Sequence, residues 1–434
     1  MKIAIIGSGI SGLACAHRLN PHASVTLFEA GDYFGGHTHT VDVTLPGPQG
    51  PVQHGVDTGF LVFNARTYPK LIALFAELGV ESANSDMSFS VQVDAAHGRR
   101  QLEWSGSSLN GVFAQRANLF KPRFWRMLRD LLRFNALTRQ IAALGTESTL
   151  QLTLAEFLQD HGFSAAFRDG YLLPMLGCIW SCPTDQMLAF PVATMIRFCH
   201  NHGLLQITQR PQWMTVRGGA RNYVERIVAR IADKRLNTPV LQVRRDAGGA
   251  LVTASGKTER FDQVVLACHS DQALALLGDA SVAERALLGA IRYQPNEAVL
   301  HTDRSVLPQR KRAWAAWNYA RAGDDPANAQ GVCLHYLLNR LQPLPFRDEV
   351  IVTLNPLRPI APQHVLGRFT YSHPVFDLAA IRSQSRLPEL QGQHNTWYCG
   401  AWTGYGFHED GLASGLDVAK RILDQGAAGA LLAA

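Results

Sequence analysis

Three glycines near the amino terminus have the spacing of a turn that binds a dinucleotide: Gly7, Gly9 and Gly12. Gly7 permits a tight turn, Gly9 lets the backbone approach a pyrophosphate, and Gly12 lets a helix pack closely on a strand. The helix that follows, from Ile10 and Ser11, offers free N–H groups and the positive end of its dipole. These residues predict a site for a phosphate-bearing ligand.

The segments on either side of this turn supply the context that a dinucleotide site requires. Residues 3–6 predict a short apolar strand, a helix extends to about residue 19, and residues 25–28 predict a second strand. Glu29 follows 17 residues after Gly12 (29 − 12), where a carboxylate can accept both ribose hydroxyls, and Ala30 comes next. A glycine turn in an ordinary α/β unit is the alternative, but the two strands and the acid favour dinucleotide binding.

The composition predicts a large protein with two or three domains, because the chain has 434 residues and 47% of them are hydrophobic. This length excludes a small binding module. The formal net charge is +6, but the basic residues are spread along the chain with acids between them. Charge alone therefore does not favour binding to nucleic acid.

The seven cysteines are odd in number and scattered through apolar runs, as expected of buried thiols in a reducing compartment. Cys178 and Cys182 are separated by three residues, a spacing that favours core packing, and Cys199 with the adjacent His200 and His202 lacks a second cluster to complete a metal site. No metal is predicted. The first strand begins at residue 3 and no apolar run is long enough to span a bilayer, so we expect a cytoplasmic protein.

A second glycine pair, Gly35-Gly36, follows Glu29 and is followed by His37. A nicotinamide-binding unit does not need this pair. With it, the sequence resembles the superfamily of FAD proteins that contains amine oxidases, protoporphyrinogen oxidases and phytoene desaturases, whose motif continues from the ribose acid into Gly-Gly-Arg. The resemblance implies FAD as cofactor. His37 replaces the arginine that in the superfamily helps to hold the phosphate or ribityl region of the cofactor.

The same resemblance implies further cofactor contacts later in the chain. A residue matching Val240 pairs its backbone with the adenine, and the stretch from Gly400 to Gly415 matches a closing motif whose helix N-terminus faces the N1 and C2 carbonyl edge of the flavin. Where the superfamily has an acid, this chain has Ala401, so Glu409 or Asp410 is expected to substitute. The contacts implied in this part of the chain are Val240, Gly400, Glu409, Gly411 and Leu412.

The pattern of predicted elements gives an α/β fold, in which a Rossmann-type FAD-binding domain with a parallel sheet is interleaved with a substrate domain of antiparallel sheet plus helices. The FAD-binding domain is predicted to comprise residues 1–80, 211–290 and 386–425. Within its second part, residues 250–254 and 261–267 are predicted to form a strand pair. The substrate domain is predicted to comprise a helical part, residues 81–210, and an antiparallel sheet, residues 291–385. Residues 426–434 are expected to form a flexible tail.

Five further segments narrow the resemblance: residues 314–319, 336–342, 354–356, 373–376 and 404–411. They are similar to bacterial FAD/NAD-binding proteins associated with cyclopropane-fatty-acyl-phospholipid synthase. This resemblance implies dehydrogenation of an unsaturated or methylated acyl chain of a phospholipid, by hydride transfer to flavin N5, with a synthase-like methyltransferase as functional partner. The alternatives are an amine oxidase, a carotenoid-type desaturase, and an FAD-binding accessory subunit that performs no redox step.

Residues 120–133 predict a basic amphipathic helix that can contact an anionic membrane peripherally, at the inner surface. At about 100° per residue, the basic face is predicted to hold Arg123, Arg126, Arg129, Asp130 and Arg133, and the apolar face Phe124, Trp125, Leu128, Leu131 and Leu132. An ordinary domain helix with a solvated arginine face is the alternative.

His408 is the predicted general acid or base, because it adjoins the expected flavin-facing helix start and the pKa of a histidine can lie near working pH. A histidine that only packs or caps the loop is the alternative. Many amine oxidases place a lysine near flavin N5, and no lysine here aligns with that role, which counts against amine oxidation. Trp314, Trp317, Tyr319 and Tyr336 are candidates for the substrate cavity, or for the core.

Overall fold

The computed structural model of the protein describes residues 1–94, 100–146, 152–180, 184–206, 210–322 and 332–433. Cys182, of the predicted Cys178 pair, lies outside these residues. The other six cysteines are free thiols.

A five-stranded parallel sheet carries the glycine turn at its carboxyl edge. Its strands, in spatial order, are β10 (Asp233–Arg235), β2 (Ser24–Phe28), β1 (Lys2–Ile6), β14 (Gln263–Leu266) and β20 (Thr396–Tyr398). The central strands are almost wholly apolar and buried because both faces of the sheet are covered, one by α1 and the other by the antiparallel sheet of residues 240–261 and neighbouring helices. The helices around the first turn are α1 (Ile10–Leu19), α2 (Pro69–Leu78), α10 (Arg221–Val228) and α15 (His408–Ala433). The predicted strand–helix–strand unit is therefore confirmed to within a residue.

A small antiparallel sheet follows, with strands β11 (Val240–Asp246), β12 (Gly249–Ala254) and β13 (Lys257–Phe261). The sequence predicted that residues 250–254 and 261–267 would pair, and this is wrong. The partner of β12 is β13, whereas residues 263–266 form β14 beside β1 in the parallel sheet. The reason is burial: Val264, Val265 and Leu266 are fully buried, which suits a strand covered on both faces.

The second large sheet has seven strands and joins segments from distant parts of the chain. In spatial order they are β19 (Val365–Val375), β15 (Arg292–His301), β18 (Ile351–Leu354), β17 (Cys333–Leu337), β16 (Trp317–Arg321), β7 (Phe89–Asp94) and β8 (Arg100–Ser105). All neighbours are antiparallel except β16 and β7, which run parallel. The mixed α/β class with one parallel and one mainly antiparallel sheet matches the predicted fold class.

Two smaller pairings complete the strands: the hairpin of β3 (Thr40–Gly47) with β4 (Gly50–Asp57), and the sheet of β5 (Phe63–Asn64), β9 (Trp213–Val216) and β6 (Ser82–Ser85). The remaining helices of the parallel-sheet side are α11 (Ser270–Leu276), α12 (Val282–Leu288) and α14 (Leu378–Arg386), and α13 (Leu338–Leu341) connects β17 with β18. Helix α15 continues to Ala433, so the predicted tail is helical, consistent with the high helix propensity of alanine.

The predicted helical region comprises α3 (Leu109–Val112), α4 (Pro122–Ala143), α5 (Leu154–Asp160), α6 (Ala165–Phe167), α7 (Leu173–Trp180), α8 (Thr184–Leu188) and α9 (Val192–Asn201). The predicted solvated basic face of α4 is wrong at one position, Asp130. Asp130 is buried and accepts from the Ser164 N–H, whereas Trp125 and Leu132 are exposed. No helix within the described ranges is long and apolar enough to cross a membrane.

Candidate cofactor and substrate site

The first turn of the parallel sheet is shaped by glycines for which a side chain has no room. A Cβ on Gly7, whose φ is +104°, would lie 2.7 Å from the Ala267 carbonyl oxygen, and one on Gly12 would lie 2.0 Å from the Gly7 oxygen. Gly9 differs, since a Cβ there would meet nothing within 4 Å. Gly9 is also the N-cap of α1, which has no side-chain cap and no acid in its first turn. The free N–H groups therefore face open space suited to an anion.

Glu29 and the second glycine pair are tied to this turn by hydrogen bonds. The Glu29 carboxylate accepts from the backbone N–H and hydroxyl of Ser8 and, at 2.8 Å, from the Gly31 N–H. The Ser8 hydroxyl in turn accepts from the Gly35 N–H at 3.1 Å. Gly36, at φ +57°, lies so near the first turn that its Cβ would be 3.1 Å from the Gly9 Cα. The two glycine motifs thus form one backbone cradle.

The carboxyl-terminal motif reaches the same cradle through helix packing. A Cβ on Gly411 would lie 2.8 Å from Ile10 Cγ2, and one on Gly415 would lie 2.1 Å from the Ser11 carbonyl oxygen. These glycines let α15 lie directly against α1. Leu412 is fully buried behind this contact. Gly12, Gly411 and Leu412 therefore shape the site from behind and lie outside the cavity wall.

One cavity of about 980 Å³ extends from the cradle into the substrate side of the molecule. At the cradle end its wall contains the predicted cofactor residues Gly7, Gly9, Ile10, Ser11, Glu29, Ala30, Gly35, Gly36, His37, Val240 and Gly400, with His408. Away from the cradle the wall is mainly apolar and aromatic, and includes Phe89, Trp104, Leu128, Leu131, Trp213 and Tyr336. The volume and the two distinct ends suit a large cofactor with an apolar substrate beside it.

The family model for flavin-containing amine oxidoreductases matches residues 10–423. The chain belongs to this family. It is thus an FAD-dependent oxidoreductase, and the cradle fits that cofactor because glycines, an uncapped helix and the Glu29 carboxylate stand where a dinucleotide needs them. A comparison with curated proteins gives no match.

Solved structures similar to this chain cover nearly its whole length at low identity. Cyclohexylamine oxidase from Brevibacterium oxydans IH-35A is 17% identical with a TM-score of 0.68, covering 98% of this chain and 99% of its own. A fatty acid isomerase from P. acnes that produces CLA is 17% identical with a TM-score of 0.65, covering 96% and 98%. A putative protoporphyrinogen oxidase from Exiguobacterium sp. 255-15 is 17% identical with a TM-score of 0.64, covering 97% and 98%. These likenesses show the shared fold.

The segment before β11 is hydrogen-bonded to the residues around Glu29. The Asn237 N–H donates to the Gly31 carbonyl oxygen at 2.9 Å, and the Thr238 N–H donates to the backbone carbonyl oxygen of Glu29 at 2.8 Å. These bonds fix the segment beside the ribose acid and place Val240 in the cavity wall. Its predicted backbone contact with adenine is compatible with this position and stays a prediction.

Glu409 has a different partner from the one implied by the sequence. Its carboxylate accepts from the Lys70 and Leu71 N–H groups at 2.8 and 3.0 Å, so it caps the first turn of α2. Asp410 accepts from the N–H groups of Tyr405 and Phe407, and burial raises its pKa to about 6. Neither carboxylate belongs to the described cavity wall. The missing acid at Ala401 is therefore not replaced from this loop.

Two histidines that sequence reasoning missed stand beside His37 in the wall. The rings of His269 and His373 have centroids 6.1 and 5.5 Å from that of His37. Removal from solvent lowers the pKa of His37 to about 3 and that of His373 to about 4, and repulsion among the rings adds to this effect. His269 comes just after β14, at the carboxyl edge of the sheet where ligands bind, and that position could have identified it.

His408 lies in the wall as predicted but not with the predicted protonation behaviour. Its ring stacks on Phe60 at 3.8 Å between centroids, and its Nε2 is 2.7 Å from the Tyr223 hydroxyl and 3.2 Å from that of Thr38. Burial lowers its pKa to about 3, so the ring is neutral at physiological pH. A hydroxyl that donates to Nε2 occupies the lone pair that a general base would use. The role of His408 as general acid or base stays a prediction.

The substrate end of the wall contains few polar groups. Asn135 Oδ1 and Trp317 Nε1 are buried without a hydrogen-bond partner. Arg210 is the one lysine or arginine among the described wall residues, and Glu29, at the cofactor end, is the one carboxylate. Of the four aromatic candidates, Trp317 and Tyr336 line this cavity. Trp314 and Tyr319 do not.

Proposed function

We propose that the protein dehydrogenates an unsaturated or methylated acyl chain of a phospholipid. One observation carries this proposal: the described cavity wall beyond the cofactor site is apolar and has no carboxylate. An amine substrate is cationic at neutral pH, and its burial without an anionic partner is strongly unfavourable. Arg210 in the same wall repels an ammonium group but attracts the carboxylate or phosphate of a lipid. An acyl chain therefore suits the cavity better than an amine.

The five segments similar to proteins associated with cyclopropane-fatty-acyl-phospholipid synthase are the second support. They favour a lipid whose chain carries a double bond or a methyl branch, and a synthase-like methyltransferase as functional partner. The P. acnes structure is named a fatty acid isomerase, so an acyl chain has a precedent on this fold. Carotenoid-type desaturation is less favoured, because a hydrocarbon would leave the Trp317 Nε1–H donor unpaired, whereas an ester oxygen of a lipid can accept from it.

The chemistry divides between cofactor and chain. When bound, FAD would supply a hydride acceptor at N5, and a base or solvent would take the accompanying proton. The apolar side chains around the substrate end exclude water and hold the acyl chain extended. The N-terminal turn of α15 adds fixed N–H dipoles near the flavin end of the site, where they favour negative charge. Oxygen or another acceptor must then remove the two electrons to complete the cycle.

Anaerobic mixing of the FAD-loaded protein with lipids tests the proposal. Detergent-dispersed phospholipids with unsaturated or methyl-branched chains should bleach the oxidised flavin absorbance, and mass spectrometry should find a product lighter by two hydrogens. Saturated straight-chain phospholipid serves as the matched control. Bleaching by primary amines alone would establish an amine oxidase instead. A flavin that no lipid and no amine reduces would support the accessory, non-redox role.

A further inference from the structure

The outer side of α3 and α4 carries a continuous patch of exposed apolar side chains. Leu109 is 79% exposed, Phe120 87%, Trp125 49% and Leu119 41%. They are neighbours: the Trp125 ring packs on Phe113 at 5.4 Å between centroids, and its Nε1 donates to the Leu119 oxygen at 2.8 Å. Phe113 follows Leu109 by one helical turn. Exposed rings of this size on one surface indicate a binding partner.

The same surface is strongly basic. Between residues 104 and 146 the only acid is Asp130, and it is buried. The basic residues of this stretch are Arg116, Lys121, Arg123, Arg126, Arg129, Arg133 and Arg139. Arg129 and Arg133 lie within 4.0 Å of the Asp130 carboxylate, whereas Arg123 and Arg126 form no ion pair with a described residue. The α3–α4 surface, meaning Leu109, Leu119, Phe120, Lys121, Arg123, Trp125 and Arg126, is therefore complementary to an anionic partner.

The inner sides of these two helices line the cavity. Val112 of α3 and Leu128, Leu131 and Asn135 of α4 belong to its wall. One pair of helices thus separates the substrate end of the cavity from the exposed apolar and basic patch. A ligand bound outside these helices lies one helix diameter from the cavity.

We infer that the α3–α4 surface docks on an anionic lipid bilayer, and that acyl chains enter the cavity from this side. Lys121, Arg123 and Arg126 match lipid phosphates, and Phe120, Leu109 and Trp125 suit the boundary between headgroups and acyl chains. Nucleic acid would use the cations but gains little from exposed aliphatic side chains such as Leu109. The inference of docking depends only on the residues of this surface, whereas the inference of acyl entry rests on the proposed function.

Vesicle co-sedimentation of the full-length, FAD-loaded protein tests docking without any turnover. The protein should bind equimolar phosphatidylcholine–phosphatidylglycerol vesicles, bind phosphatidylcholine vesicles weakly, and dissociate as salt is raised. Equal binding to both vesicles, or binding to neither, overturns the docking surface.

Two paired variants separate the electrostatic and apolar contributions. R123E/R126E should lower the partition coefficient on anionic vesicles about tenfold or more, whereas R244E/K257E, the same charge change on β11 and β13, should have a much smaller effect. L109S/F120S should weaken binding even at fixed charge, and V282S/L378S, at exposed apolar positions elsewhere, should not. Control pairs that reduce binding as much as the test pairs overturn the inference.

Two further measurements distinguish the other possible outcomes. If sedimentation analysis finds a dimer, and L109S/F120S dissociates it, a second copy of the chain covers the surface, which overturns docking.

For acyl entry, R123E/R126E should slow flavin reduction by lipid in anionic vesicles but leave reduction by detergent-dispersed lipid unchanged. Equal slowing in both overturns entry from this side. If neither lipid form reduces the flavin of the unmodified protein, the proposed function fails while the vesicle binding still stands.

Discussion

The two ends of the cavity are built on different principles. The cofactor end is defined by backbone: Gly7, Gly12 and Gly36 stand where a Cβ would collide with main-chain atoms, and Gly9 leaves main-chain N–H groups open. The substrate end is defined by side chains, which come from the seven-stranded sheet, from β9 and from the helical region. A side chain at Gly7 or Gly12 would collide with main-chain atoms, whereas an apolar wall accepts many residues of similar size. The cofactor end therefore identifies the cofactor. At the substrate end, the substrate has to be inferred from the charged groups in the wall.

The largest expected effect separates two glycines of the cofactor end. G12A should destabilise the fold by about 3 kcal/mol, because its Cβ would lie 2.0 Å from the Gly7 oxygen. G9A should leave the free energy of unfolding nearly unchanged but weaken FAD binding strongly, since its Cβ would enter the space left for the pyrophosphate. Urea unfolding of the apoprotein and FAD titration measure the two effects.

The control for these variants is G426A, an exposed helical position where a Cβ meets nothing within 4 Å. It should be neutral or stabilise by a few tenths of a kcal/mol. Equal loss of stability in G9A and G12A would remove the distinction between a glycine needed for packing and one needed for the ligand.

Acidification should destabilise the apoprotein through histidines with lowered pKa, five of which line the cavity. Histidines with lowered pKa are His37, His39, His202, His269, His301, His373 and His408. In the folded state the pKa of each of these histidines lies below the unfolded value of about 6.5. As the pH falls below that value, the unfolded state therefore binds more protons than the folded state. The free energy of unfolding then decreases by about 1.4 kcal/mol per additional proton and pH unit.

Three buried carboxyl groups act in the opposite sense but are fewer. The pKa values of Asp57 and Asp410 are raised to about 6 and that of Glu409 is also raised, so between pH 4 and 6 these groups bind protons in the folded state. The net expectation is a free energy of unfolding that falls by several kcal/mol between pH 7 and pH 5, measured by urea unfolding. H37Q/H373Q should flatten this dependence. A stability maximum near pH 5 would contradict the neutral state of these histidines.

A smaller effect is expected at the substrate end from R210Q. Loss of the one cation in the described wall should raise the KM for anionic lipids about tenfold and leave kcat and neutral acyl esters little affected. R230Q, an exposed arginine outside the wall, is the matched control. An equal rise in KM for neutral esters would show that Arg210 shapes the cavity and does not recognise charge.

The smallest effect is expected from E409Q. Because this carboxylate caps α2, the variant should lose about 0.5–1 kcal/mol of stability and keep its affinity for FAD. A large loss of FAD affinity at unchanged stability would restore the contact implied by the sequence.

Local constraint explains which features could be predicted. The strand–helix–strand unit and its glycines were predicted closely, because the contacts that constrain those residues lie within one supersecondary motif. The pairing of residues 263–266 with β1 and the contact of Glu409 with α2 were not, because both join segments hundreds of residues apart. Asp130 fell on the wrong face of α4 because a helical period cannot show that a carboxylate is buried against the Ser164 N–H.

The packing of α15 on α1 has a consequence for synthesis of the protein. Gly415 and Ser11 touch across 404 positions of the chain (415 − 11), and β20 joins the parallel sheet only after residue 396 has been added. The glycine turn is therefore synthesised about 400 residues before the helix that supports it. We therefore expect FAD to bind only after residue 415 has been synthesised, and a chain truncated before Gly415 should be purified without bound FAD.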